Sequence, residues 1–140
     1  MDGWEFWQTA HRLRNSTNEC DRRTAISRAY YAVYNGMSQF VRQHGLCLST
    51  GSTSHGDLRN MLQGSECELL EDIGDRLGAL HGARLKADYQ MGCEAEHVSA
   101  SAVTVALERA AQAKNAADEL DPDAAVQGIR KYLEATGQRR

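Results

Sequence analysis

The sequence predicts an all-α protein, an up-down bundle of five to six helices with two long central members. Three observations carry this: apolar residues recur at three- and four-residue intervals along most of the chain, no segment alternates long enough to make a strand, and there is a single proline. At 140 residues the chain is long enough for one hydrophobic core and short for two, so residues 1–140 read as one domain, with its core over about 19–120 and a terminal helix over 121–136.

Each helix has its own local signals. Trp4, Phe6, Trp7, Ala10, His11 and Leu13 mark a short first amphipathic helix that Asp2 can cap. The polar segment 15–21 interrupts it, and Ser16 with Glu19 has the spacing of a capping box. A long second helix follows from about Glu19 to His44, with Ile26, Ala29, Tyr30, Val33, Met37, Phe40 and Val41 on one stripe and Gly45 in the position of a C-terminal cap. Its other side carries Arg28, Asn35 and Arg42 at seven-residue intervals, with Tyr31 and Ser38 beside them. That polar, partly aromatic face reads either as a solvated side or as a dimer or cleft face.

Residues 46–54 read as a surface loop. Two further capping boxes, Ser54 with Asp57 and Ser65 with Glu68, predict a short third helix, a break at Gly64 and a long fourth helix to about Tyr89. On the fourth helix Gly74, Gly78 and Gly82 recur every four residues, each costing about 1 kcal/mol of helix propensity, which points to close packing of a neighbouring helix. After a loop over 91–97, an alanine-rich fifth helix carries Val103, Ala106, Leu107, Ala110, Ala113, Ala117 and Leu120. Asp121-Pro122 starts a last helix with Val126, Ile129 and Leu133, and residues 137–140 read as a frayed tail.

Bulk properties exclude several function classes. A formal net charge of -3 supplies no global attraction to nucleic acid, so any RNA contact needs a local basic patch. No apolar run is long enough for a membrane span, and the N-terminus lacks the basic lead and apolar core of a secretory signal, so the expected compartment is the cytoplasm. Cys20, Cys47, Cys67 and Cys93 show no Cys-x-x-Cys pair and no histidine at zinc-ligand spacing, and read as reduced thiols; neither a metal nor a cofactor is expected. Phosphate-binding glycine loops, His-Glu-x-x-His and Gly-x-Ser-x-Gly are all absent from the sequence.

The fourth helix holds the anomaly. Leu70, Ile73, Leu77, Leu80 and Ala87 form one stripe, and Arg84 falls near its middle. A guanidinium cannot shed its proton, so it must be paired inside the bundle or line a cleft. Two arrangements meet this demand: Arg84 and Asp88 form a buried ion pair or hydrogen-bond to Tyr30 or Tyr34, fixing how the second and fourth helices pack, or His81, Arg84 and Asp88 cluster on one side of the helix, able to move a proton and steady a phosphate.

Ser27-Arg-Ala-Tyr-Tyr-Ala32 with Val33-Tyr34, then Ser54-His55, then Leu77-x-x-Leu80-x-x-x-Arg84-x-x-Ala87-Asp-Tyr89 occur in this order on the second, third and fourth helices. Together, over roughly residues 19–120, they resemble the HEPN superfamily, in its small stand-alone prokaryotic branch often encoded beside minimal nucleotidyltransferases. The resemblance implies a homodimer whose long helices line a shared cleft, acting in toxin-antitoxin or phage-defence systems. Its function there is to bind RNA, a nucleotide or a partner protein, in some members as a metal-independent ribonuclease and in others as a non-enzymatic scaffold. Active members carry an arginine followed by four to six residues and a histidine, which Arg76 and His81 match, although Leu77 stands where a polar residue is usual and the two side chains diverge by about 140° on one helix. The resemblance also makes His55 a candidate for binding, and Tyr89 a candidate for the nucleotide transfer that silences some relatives. Arg28, Tyr31, Asn35 and Arg42 are the candidates for an interface or RNA contact.

Overall fold

The computed structural model describes residues 1–92 and 95–137, and Cys93 and the terminal Arg139 and Arg140 lie outside the described residues. A 3-10 turn at Gly3–Glu5 leads into α1 (Phe6–Leu13), followed by α2 (Glu19–Gln43), α3 (Ser54–Gln63), α4 (Glu68–Tyr89), α5 (Ala100–Asp118) and α6 (Pro122–Ala135). No strand occurs among the described residues, and the six helices pack as one bundle.

Local chemistry sets most of the ends. Asp2 and Glu5 form a reciprocal capping box on the first turn, Ser99 caps α5, and Asp121 caps α6 ahead of Pro122. Gly45 takes φ +77 just beyond the end of α2, a conformation that costs a side chain but not glycine. Three of the expected serine caps are not caps. Asn18 caps α2 through Cys20 N, while Ser16 bonds Asp21. The Ser54 hydroxyl donates to Gly51 O and accepts from Tyr34, and Ser65 donates to Leu62 O, so α4 starts at Glu68 without a side-chain cap. In each case a tertiary or turn partner claimed the hydroxyl.

α2 and α4 form the centre and run antiparallel, since Arg23 near the start of α2 reaches Ala87 near the end of α4. Every member of the α4 stripe, Leu70, Ile73, Leu77, Leu80 and Ala87, is buried. α5 lies against both, and α1 closes one side, its Trp7 indole donating to Leu107 O at 3.1 Å. One core cluster joins Ala10 of α1, the central helices, and Ile129 and Leu133 of α6. The expected surface loop after α2 buries Leu46 and Leu48 in that core and makes a 3-10 turn at Gly51–Thr53.

The α4 glycines divide. A Cβ on Gly74 would meet Gln63 at 2.9 Å and one on Gly78 would meet Arg59 at 3.3 Å, so these two admit α3. Gly82 has nothing within 4 Å. Tight approaches also occur where the sequence signalled none: a Cβ on Gly36 would lie 2.3 Å from the Trp4 ring, and one on Gly64 2.1 Å from Tyr132.

The polar side of α2 is split among three environments. The first turn presses on Asn35, against whose backbone and Cβ a Cβ on Gly3 would clash, and Gly3 N donates to Gln39 at 2.6 Å. Arg42 is exposed at the far end, Arg28 lies between Phe6 of α1 and Tyr31, and Tyr31 meets His55 of α3 and Arg84 of α4. Arg28, Tyr31, Asn35 and Arg42 therefore do not form one continuous face of this chain, because the N-terminal turn occupies its middle.

Candidate functional site

Where α3 starts, it crosses the two long helices and brings histidine, tyrosine and arginine side chains together. Tyr30 and Tyr34, one turn apart on α2, stack at 5.9 Å, and both reach toward α3. The Tyr34 hydroxyl donates to Ser54 Oγ at 2.7 Å, and the Tyr30 hydroxyl shares a hydrogen bond with His55 Nδ1. His55 stacks on Tyr34 at 4.3 Å between centroids. From α4, His81 comes to 5.7 Å from His55 and 5.4 Å from Tyr30. Two imidazoles from different helices thus share one small cleft of about 90 Å³ lined by Tyr30, His55, Gly56, Arg59, Leu77 and His81.

Arg84 sits behind this pair. Its guanidinium carbon lies 5.7 Å from the Tyr30 ring centre, 5.2 Å from Tyr31 and 5.8 Å from Tyr89, and its Nε is 3.1 Å from Asp88 Oδ2. The Nε–Oδ2 pair is an ion pair by distance while its direction is not that of a hydrogen bond, which leaves the buried Nε without a hydrogen-bond partner. Asp88 is also tied to Ser27 Oγ at 3.3 Å. The predicted Arg84–Asp88 pair is therefore formed, but the tyrosine hydroxyls bond α3 instead of Arg84, which meets the rings through their faces.

The electrostatics follow from this enclosure. Burial, then the neighbouring His81, then the Arg84 charge hold the His55 imidazole below its ordinary value. Burial, Arg84 and Arg59 do the same for His81. Burial, reinforced by Tyr34, pushes the Tyr30 phenol well above its usual range despite the nearby Arg84. Tyr30 accordingly keeps its proton, and in the tautomer where its hydroxyl donates to Nδ1 the neutral His55 ring carries its own proton on Nε2.

The other sequence candidates are placed elsewhere. Arg76 bonds Asp72 at 3.0 Å and Gln112 of α5, turned away from His81 as its spacing required. Tyr89 is 68% exposed beside Arg84. Arg59 was not singled out by the sequence, although it lies one turn after His55 and so on the same side of α3; that i,i+4 spacing was the available signal. Among the described residues no group of three His, Cys, Asp or Glu side chains gathers as a metal site, and no helix is long and apolar enough to cross a membrane.

Fold and site together define a helical bundle carrying a paired-histidine cleft that Arg59 lines and Arg84 backs. No family model, no curated protein and no solved structure matches the chain.

Proposed function

We propose that the chain is a HEPN-type protein of a toxin-antitoxin or phage-defence system, cleaving RNA without a metal, with His55 and His81 as the proton-transferring pair. The observation that carries this reading is the 5.7 Å approach of two imidazoles from separate helices beside two guanidiniums. His81 removes the proton from an RNA 2′-hydroxyl, whose oxygen attacks the adjacent phosphorus. His55, protonated, delivers a proton from Nε2 to the departing 5′ oxygen, leaving a 2′,3′-cyclic phosphate. The Tyr30 contact survives this cycle, because the phenol oxygen accepts from Nδ1–H when the ring is charged. Arg59 and Arg84 stabilise the charge that develops on phosphorus oxygens.

The test is cleavage of a labelled RNA in the presence of a chelator by the wild type, His55→Asn and His81→Asn. Each substitution is expected to reduce the rate by about 10²-fold or more, and the products to end in cyclic phosphate. Wild-type inactivity, or full activity in either variant, removes the ribonuclease reading. The homodimer, or the complex with a nucleotidyltransferase encoded nearby, belongs to the same reading and is tested by light scattering with and without that partner.

A second reading rests on Arg84. Its charge is already met by Asp88 and three tyrosine rings, which favours a non-enzymatic partner or scaffold in which this pair fixes helix packing. An inactive wild type whose Arg84→Met variant loses stability but keeps its partner fits that reading.

A further inference from the structure

We propose that Arg28 holds a second phosphate of a single-stranded RNA whose neighbouring phosphate lies at the histidine cleft. This rests on the cleft being an RNA site, and it adds a direction and a register for the strand.

Arg28 is half-buried, and its guanidinium carbon lies between two rings, 5.3 Å from Phe6 and 4.9 Å from Tyr31. Its Nε is buried with no hydrogen-bond partner, and no carboxylate among the described residues pairs with it. Ring faces attract a cation but accept none of its directed N–H bonds, so the guanidinium is positioned without being satisfied. An oxyanion supplies what the chain withholds.

The Tyr31 ring has Arg28 on it at 4.9 Å and Arg84 at 5.2 Å, so the two guanidinium carbons are no more than about 10 Å apart. Successive phosphates of one flexible strand span such a gap, with the half-exposed Tyr31 ring between them. Charge agrees: of Arg28, Arg59 and Arg84, only Arg84 has a carboxylate, Asp88, in ion-pair contact among the described residues, a local excess of positive charge on a chain of formal charge -3. A lone phosphomonoester uses only one end of this row, whereas a polyanion uses both.

The experiment measures binding of a 2′-O-methyl oligouridylate, which the mechanism above cannot cleave, as a function of salt. For a single strand the slope of log K against log salt changes by about 0.7 for each phosphate neutralised. Arg28→Ala is expected to make the slope shallower by about 0.7, and Arg28→Lys, which keeps the charge, to restore most of it. Arg130→Ala, an exposed arginine that bonds His44 O at the other end of α2, is expected to leave it unchanged. Thermal unfolding of each variant checks that the fold is intact. An unaltered slope in a folded Arg28→Ala protein, or no binding by the wild type, overturns the proposal. If the slope falls while no RNA is cleaved, the phosphate subsite stands and the ribonuclease reading fails; if RNA is cleaved with the slope unchanged, the reverse holds.

Discussion

The imidazole of His55 on α3 and that of His81 on α4 lie 5.7 Å apart and within 23° of parallel. Neither ring is expected to charge easily there, since burial, the other imidazole and Arg84 all oppose a proton on His55, and burial, Arg84 and Arg59 oppose one on His81. The folded protein therefore binds fewer protons than the unfolded chain. The stability this represents is fully present above the ordinary histidine pKa near 6.5 and is lost as pH falls through the lowered folded values. Urea unfolding at about pH 7.5 and about pH 5.5 should show a decline that shrinks in a His55→Asn, His81→Asn double variant. An identical decline in both proteins contradicts the assignment.

Catalysis should carry the same signature. One imidazole must be protonated while the other is free, so kcat/KM for RNA is expected to peak on the acid side of pH 6.5. A maximum on the alkaline side removes the pair from the mechanism.

Tyr30 gives the opposite limb. Its phenol is raised, so the folded state holds a proton that the unfolded chain releases near pH 10, and stability is lost as pH rises from there. Tyr30→Phe keeps the ring stacking, removes the hydroxyl bond to His55 at a cost of about 1 kcal/mol, and should flatten this alkaline decline. Chemical denaturation at about pH 8 and about pH 10.5 decides it.

Arg23 is 7% exposed and fastens the end of α4, donating to Ala87 O at 2.8 Å, Gln90 O at 3.2 Å and Lys86 O at 3.3 Å. Ala87 O belongs to the last turn, Lys86 O already accepts the Gln90 N–H at 3.1 Å, and Gln90 O lies just beyond the helix, so one guanidinium caps the whole end. Arg23→Ala should cost about 2–3 kcal/mol, because several charged hydrogen bonds are lost and the buried Ala87 carbonyl loses its partner. Hydrogen exchange at the end of α4 should accelerate in the same variant; a loss below about 0.5 kcal/mol is incompatible with this capping role.

Two glycines should respond in opposite directions. Gly82 lies mid-helix with open space around its missing Cβ, so Gly82→Ala should raise stability by about 0.5–1 kcal/mol. Gly36→Ala drives a methyl into the Trp4 ring and should cost about 1–3 kcal/mol and change the near-ultraviolet signal of the displaced indole. Equal effects at the two positions would mean that propensity alone governs both.

Helix number, several helix ends and the buried stripes were legible in the sequence, because periodicity and termini are local: Asp2, Gly45 and Asp121-Pro122 act within a turn of themselves. The serine caps misread for a related reason. Ser16, Ser54 and Ser65 have the right local chemistry, yet Asp21, Tyr34 and the Leu62 carbonyl claim their hydroxyls. A hydroxyl bonds whichever partner the tertiary fold brings closest.

Within the cleft, the sequence alone determined that Arg84 stands on the apolar side of its helix and has Asp88 one turn away, since helical geometry fixes neighbours three and four residues apart. It also determined that Arg76 and His81 diverge. Only the tertiary structure decided that His55 of α3 meets His81 of α4, that Tyr30 orients one of them, and that Arg28 lies alone between Phe6 and Tyr31. Those contacts depend on how α1 and α3 seat against α2 and α4, a choice made by the burial of all the faces at once, which no local pattern encodes.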